Sequence, residues 1–290
     1  MLNLHQIINM RQLTFIIAAA VSLLVSSCGN YSKVQKTHDY MYKYEAAKEY
    51  YATGLYNRSA LLLQDVVMSL KGTDKGEESL FLLGKASFYA HDYYAAQTYF
   101  QKYYQTYPRG HFAEEAKYLS GLSLYMDVPE IKLDQTATYE ALNEFQRFLE
   151  SYPSSQYSEK VQELIYKLQD RLVEKEYLSA KLYYDLGSYF GNCANGGSNY
   201  QACIITAENA IRDFPYTSRR EEFAIMILRA KFDLAAQSVD AKKEERFHNA
   251  IDEYYGFTNE FPESVYMKEA QKLFAKASKY VVVQKEEVQN

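Results

Sequence analysis

Hydrophobic positions along the chain fall into two regimes. From Leu13 to Val25 they are nearly continuous, LTFIIAAAVSLLV. Beyond Lys33 no apolar stretch is long enough to cross a bilayer, and apolar residues instead recur at helical spacing. That pattern is interrupted by aromatic–proline pairs: Tyr107-Pro108, Tyr152-Pro153, Phe214-Pro215 and Phe261-Pro262. The segments before them, FQKYYQTYP, FQRFLESYP, AENAIRDFP and YGFTNEFP, read as helix ends, because proline has no N–H with which to continue the ladder. The segments after them, PRGHF, PSSQY, PYTSR and PESVY, place a small or polar residue near the next helix start. The four prolines are 45 (153−108), 62 (215−153) and 47 (262−215) residues apart. Repetition at this scale predicts an all-α solenoid of stacked helical hairpins rather than one compact core.

The register is clearest in the second unit. Leu80, Leu83 and Gly84 mark a first helix; Tyr93, Ala96 and Phe100 mark a second, ending at Pro108. This resembles the tetratricopeptide repeat, in which a small residue lets two helix backbones approach and an aromatic fills the space beside it. Equivalent pairs are Ser59 and Leu63, Ala141 and Phe145, and Ala250 and Tyr254, with Cys203 and Ala207 a weaker match. Five repeats follow, over 37–280, the N-terminal ones in 37–153 and the C-terminal ones in 154–280, with a closing helix from about Ser264 to Tyr280. The long spacings have a local origin. DVPEIKLDQT (127–136) separates the helices of repeat three, while a long helix over 156–187 and the loop GNCANGGSN (191–199) lengthen repeat four. Residues 281–290 are expected to fray.

The apolar run at the N-terminus is too short to span a bilayer and follows Arg11, the layout of an export signal over 1–27, with Met10 an alternative start. It ends at Val25-Ser26-Ser27-Cys28, which resembles the lipobox of bacterial lipoproteins. The resemblance implies that Cys28 becomes the first residue, carries acyl chains and holds the protein on a membrane, with 28–36 a short tether. In lipoproteins of this kind an Asp after the lipidated Cys often means inner-membrane retention, so with Gly29 there the resemblance implies the outer membrane and a periplasmic location.

The formal charge is −5, and it becomes −6 once Arg11 leaves with the signal, so nucleic acid is not an expected partner. There are 30 Tyr and no Trp. Glu77-Glu78, Glu114-Glu115 and Glu221-Glu222 lie near helix starts, where carboxylates suit the helix dipole; adjacent helical positions do not converge on one atom. His38, His91, His111 and His248 fall in different repeats with no ligand at one-turn spacing, and no nucleophile elbow or phosphate loop occurs. No enzyme, metal or cofactor is therefore expected. Cys193 and Cys203 could bridge in an oxidising compartment, or Cys203 could be a buried free thiol in its small-residue position. Register places Tyr44, Lys48, Tyr51, Phe81, Lys85, Phe88, Tyr89, Tyr118 and Tyr125 along a concave groove suited to a peptide.

Lipobox, repeats, Asp134-Gln135-Thr136, EFQRFLESYPSSQYSEK, SAKLYYDLGSY and AENAIRDFPYT together resemble the BamD (YfiO/ComL) family of outer-membrane β-barrel assembly lipoproteins. The resemblance implies docking of the C-terminal repeats on a BamA-like barrel subunit, and reception of unfolded outer-membrane β-barrel proteins by the N-terminal repeats. Many relatives have Asn-Arg where this chain has Ile205-Thr206, so a charge contact there is not carried over. Glu208 and Arg212, one turn apart, are the candidates for the partner interface, or else an ordinary ion pair. A periplasmic repeat adaptor for other envelope proteins is the alternative reading.

Overall fold

The computed structural model describes residues 31–187, 189 and 198–289, with side chains as far as Val281. Cys28, the signal segment and Cys193 lie outside the described residues. The described chain is helical throughout, without strands: α1 (31–36), α2 (Tyr40–Ala52), α3 (Tyr56–Ser69), α4 (Asp74–Tyr89), α5 (Tyr93–Thr106), α6 (Ala113–Met126), α7 (Thr136–Ser151), α8 (Ser158–Leu186), α9 (Asn199–Asp213), α10 (Arg220–Ala236), α11 (Asp240–Glu260) and α12 (Met267–Gln289). Successive helices pair into five hairpins, α2/α3 to α10/α11, with α12 closing the series. This is the all-α, tetratricopeptide-like repeat architecture expected.

Local chemistry sets the helix boundaries. Asp39, Thr73 and Asp92 cap α2, α4 and α5, each side-chain oxygen accepting from a backbone N–H three residues on. Each aromatic–proline pair builds the same turn. The aromatic carbonyl accepts from the N–H three residues later at Gly110 (2.9 Å), Ser155 (3.1 Å), Thr217 (3.1 Å) and Ser264 (3.1 Å), with Pro in the second position that its fixed φ favours. A second turn leads from these residues into α6, α8, α10 and α12. Ser155, Thr217 and Ser264 add a side-chain bond to the N–H two residues on. The acidic pairs do lie at helix starts: Glu77, Glu114, Glu115, Glu221 and Glu222 are in first turns.

The described residues divide into two compact units, one from 31–128 with 139–162, the other from 129–138 with the described residues after 162. In the first, Ala47, Leu62, Leu63, Leu83 and Ala86 join α2, α3 and α4, and Leu80, Phe81, Ala96, Phe100, Tyr103 and Ala116 join α4, α5 and α6. The small/aromatic rule is literal here. A Cβ on Gly84 would lie 2.6 Å from the Phe100 ring, and one on Gly121 would lie 2.7 Å from that of Phe145. In the second, Val173, Ala180, Cys203, Ala207, Phe223 and Ile227 join α8, α9 and α10. Ile225, Leu228, Phe257 and Ala270 continue the core to α12.

Two boundaries differ from the sequence reading. Residues 31–36, assigned to the tether, form α1, and Val34 is buried against Ala46 and Leu62. The apolar side chain of Val34 gains more from that site than from solvent. At the other end α12 runs to Gln289 instead of stopping near Tyr280, in a segment without Gly or Pro to break it.

Candidate functional site

The first unit contains the nine residues assigned to a groove, and the fold separates them. Tyr44 is fully buried and Phe81 is 5 % exposed, so neither can present its ring to a ligand. The ammonium groups of Lys48 and Lys75 each lie over the Tyr44 ring, 5.1 Å from its centre, and both stand 3.5 Å from Glu78. Phe81 stacks in parallel on Phe112 at 4.4 Å. Lys85 pairs with Glu115 at 3.6 Å. Tyr118 stacks on Tyr157 at 4.3 Å, and burial raises its pKa. These side chains fasten first helices to their neighbours. Tyr125 is half-buried.

Tyr51, Phe88 and Tyr89 are brought together with residues the register did not select. Tyr51 meets Tyr56 and Tyr89 edge-on, Tyr56 stacks on Tyr89 at 5.2 Å, and Phe88 meets Tyr93. Tyr93 in turn bonds His91 Nδ1 at 2.8 Å, where φ is +63°. This aromatic edge follows the hairpin turns, and Tyr89 remains half exposed.

In the second unit a groove of about 520 Å³ opens along α9, α10 and α11, lined by Ile204, Ile205, Glu208, Lys231, Arg246 and Glu253, among others. Lys231 is its fixed charge, 2.6 Å from Glu253 and 3.4 Å from Glu208. Burial opposes its charge, but the two carboxylates keep the ammonium above its ordinary pKa. Ile205 is half exposed on the rim. Glu208 and Arg212 do not pair with each other: Glu208 turns to Lys231, and Arg212 bonds Asp213 at 3.1 Å. Cys203 is a buried free thiol packed against Phe223 and Ala180, and desolvation pushes its pKa up to about 12. Cys193, its candidate bridging partner, lies outside the described residues.

Sequence reasoning missed Lys231 and Arg219. Arg219 lies over the ring of Tyr177 at 4.3 Å and pairs with Glu174. A positional signal was available, since Arg219 stands five residues after Phe214, as Phe112 stands after Tyr107 and Tyr157 after Tyr152. All three lay a flat group on the preceding first helix.

Among the described residues no helix is long and apolar enough to cross a membrane, and no group of three or more His, Cys, Asp or Glu is placed to hold a metal ion.

A family model described as YfiO, outer membrane lipoprotein, matches residues 36–195. No curated protein matches the chain.

Proposed function

Because this chain belongs to the YfiO family of outer membrane lipoproteins, we propose that it is a non-catalytic scaffold of the outer-membrane β-barrel assembly machinery. The family match over more than half of the chain carries the reading. In this proposal Cys28 is lipidated and anchors the protein to the outer membrane, facing the periplasm. The first unit receives exposed strands of unfolded barrel proteins. Of the residues assigned from the sequence, Tyr51, Phe88 and Tyr89 keep that role, at the partly exposed aromatic edge they form with Tyr56 and Tyr93. The second unit docks on a BamA-like barrel subunit, with Glu208 and Arg212 at the contact; both side chains are at least half exposed. Helical repeats suit this task because each contacts mainly its neighbours, leaving long faces open.

The test is isolation of the lipidated protein from detergent-solubilised outer membranes, with bound proteins identified by mass. A stoichiometric BamA-like barrel that is lost on charge reversal at Glu208 and Arg212 is the expected result. Capture of other envelope proteins without such a barrel would replace this reading with the periplasmic adaptor.

A further inference from the structure

The DVPEIKLDQT segment, an apparent insertion between two helices, is built as a rigid bracket. Gln135 is 6 % exposed, and its Nε2 donates to the carbonyls of Glu130 (2.8 Å), Leu133 (3.1 Å) and Ile131 (3.3 Å). Its Oε1 accepts from Thr138 Oγ1 at 2.8 Å and from Arg171 Nε at 3.3 Å. One turn further along α8, Lys175 Nζ donates to the carbonyls of Lys132 (2.9 Å) and Leu133 (3.0 Å). A buried amide with its hydrogen-bonding capacity filled in this way fixes one loop conformation.

Between bracket and helix lies a cleft of about 430 Å³, lined by Lys132, Lys175, Leu178, Lys181, Leu182 and Asp185, with Ser179. Leu182 is 58 % exposed, and Leu133, the next bracket residue, 56 %. Three lysines face one carboxylate, Asp185, which pairs with Lys181 at 2.9 Å. The bracket itself carries Asp127, Glu130 and Asp134, none of which lines the cleft, and Asp134 is turned back to accept from the Thr136 N–H. In a chain of net negative charge, a preformed cleft that combines excess positive charge with exposed leucines is out of keeping with the whole.

We propose that this cleft is a docking site for a peptide segment that carries carboxylates beside aliphatic or aromatic side chains. The lysines supply charge complementarity and the leucines an apolar floor. Its concavity fits side chains better than it fits a flat bilayer surface. The proposal does not depend on the assembly role or on contact with a barrel subunit.

The test is fluorescence anisotropy with the full, detergent-solubilised chain and a short labelled peptide alternating Glu and Leu, beside a Lys–Leu counterpart. Saturable binding of the Glu–Leu peptide alone is expected. Lys132→Glu with Lys181→Glu should weaken it by about tenfold or more, and Leu182→Ser should weaken it with the charges intact. Circular dichroism of each variant should retain the wild-type helical signal. Equal binding of both peptides, or binding unchanged in the variants, would overturn the proposal. So would failure of the peptide to bind while anionic lipid vesicles bind through the same lysines.

Discussion

The guanidinium of Arg219 covers the ring of Tyr177 at 4.3 Å while its Nη2 stands 2.6 Å from Glu174, one turn earlier on α8. One side chain entering α10 thus grips two residues of an earlier first helix. Phe112 on Phe81 and Tyr157 on Tyr118 make the equivalent contact with aromatic rings. The role belongs to a flat group, and Arg shares that shape with Phe and Tyr while adding a fork for a carboxylate.

Arg219→Lys should therefore behave as a loss. The ammonium cannot stack as a plane, so a destabilisation of about 1–2 kcal/mol is expected. Tyr177→Leu should lose less in the Arg219→Lys background than in the wild type. Urea denaturation of the two single variants and the double variant measures that coupling; additive effects would mean that the stacking contributes nothing.

A second prediction concerns Gly84. Alanine is the better helix former by about 1 kcal/mol, so in an exposed helix Gly84→Ala would stabilise. Here the new Cβ would sit 2.6 Å from Cε1 of Phe100, a buried ring with little room to retreat. Overpacking of this kind costs about 1–3 kcal/mol, so a lower melting temperature is expected. Phe100→Leu in the same chain should recover part of the loss by opening space for the methyl group.

The repeats were legible in the sequence where the chemistry is local. Proline marks its own turn, and the small/aromatic pairs announce helix contact, so the hairpins and the closing helix could be placed without coordinates. The groove was not legible. A helix register gives the direction of a side chain, not what the next repeat lays over it. Tyr44 and Phe81 are both buried: Lys48 and Lys75 stand over the first ring, and Phe112 stacks on the second. Likewise the spacing of Glu208 and Arg212 permits an ion pair, yet Lys231 from the following helix stands within 3.4 Å of Glu208. Gln135 was singled out only through resemblance. Its side-chain oxygen accepts from Arg171 of α8, distant in the chain, a partner that no local pattern reveals.

Cys203 should be chemically silent in the folded protein. With its thiol pushed up to about 12 from an ordinary 9.0 by burial, and with Asp185 adding to the effect, almost no thiolate is present at mildly alkaline pH. Brief alkylation of the native protein, followed by proteolysis and mass analysis, should leave the Cys203 peptide unlabelled. The same treatment in denaturant should label it. Labelling in the native state would place the thiol at an accessible surface rather than in the core of the second unit.

The last prediction tests how α10 holds the closing helix. Arg229 donates from Nε and Nη2 to the two oxygens of Glu269, both at 2.6 Å, and its guanidinium also lies 5.4 Å from the Tyr266 ring. The Arg229 hydrogen bonds hold the Glu269 carboxyl below its ordinary value near 4.5, outweighing burial. A depressed folded pKa means that the stabilisation is fully present above that ordinary value and is lost as pH falls through the folded one. Since the two side chains remain 28 % and 43 % exposed, solvent screening limits the pair to about 1 kcal/mol despite its two-pronged geometry. Glu269→Gln should accordingly lower the urea midpoint at neutral pH, and its curve should converge on the wild type as acid protonates Glu269. A gap that persisted unchanged into strong acid would assign the loss to packing at Tyr266 instead of to the charge on Glu269.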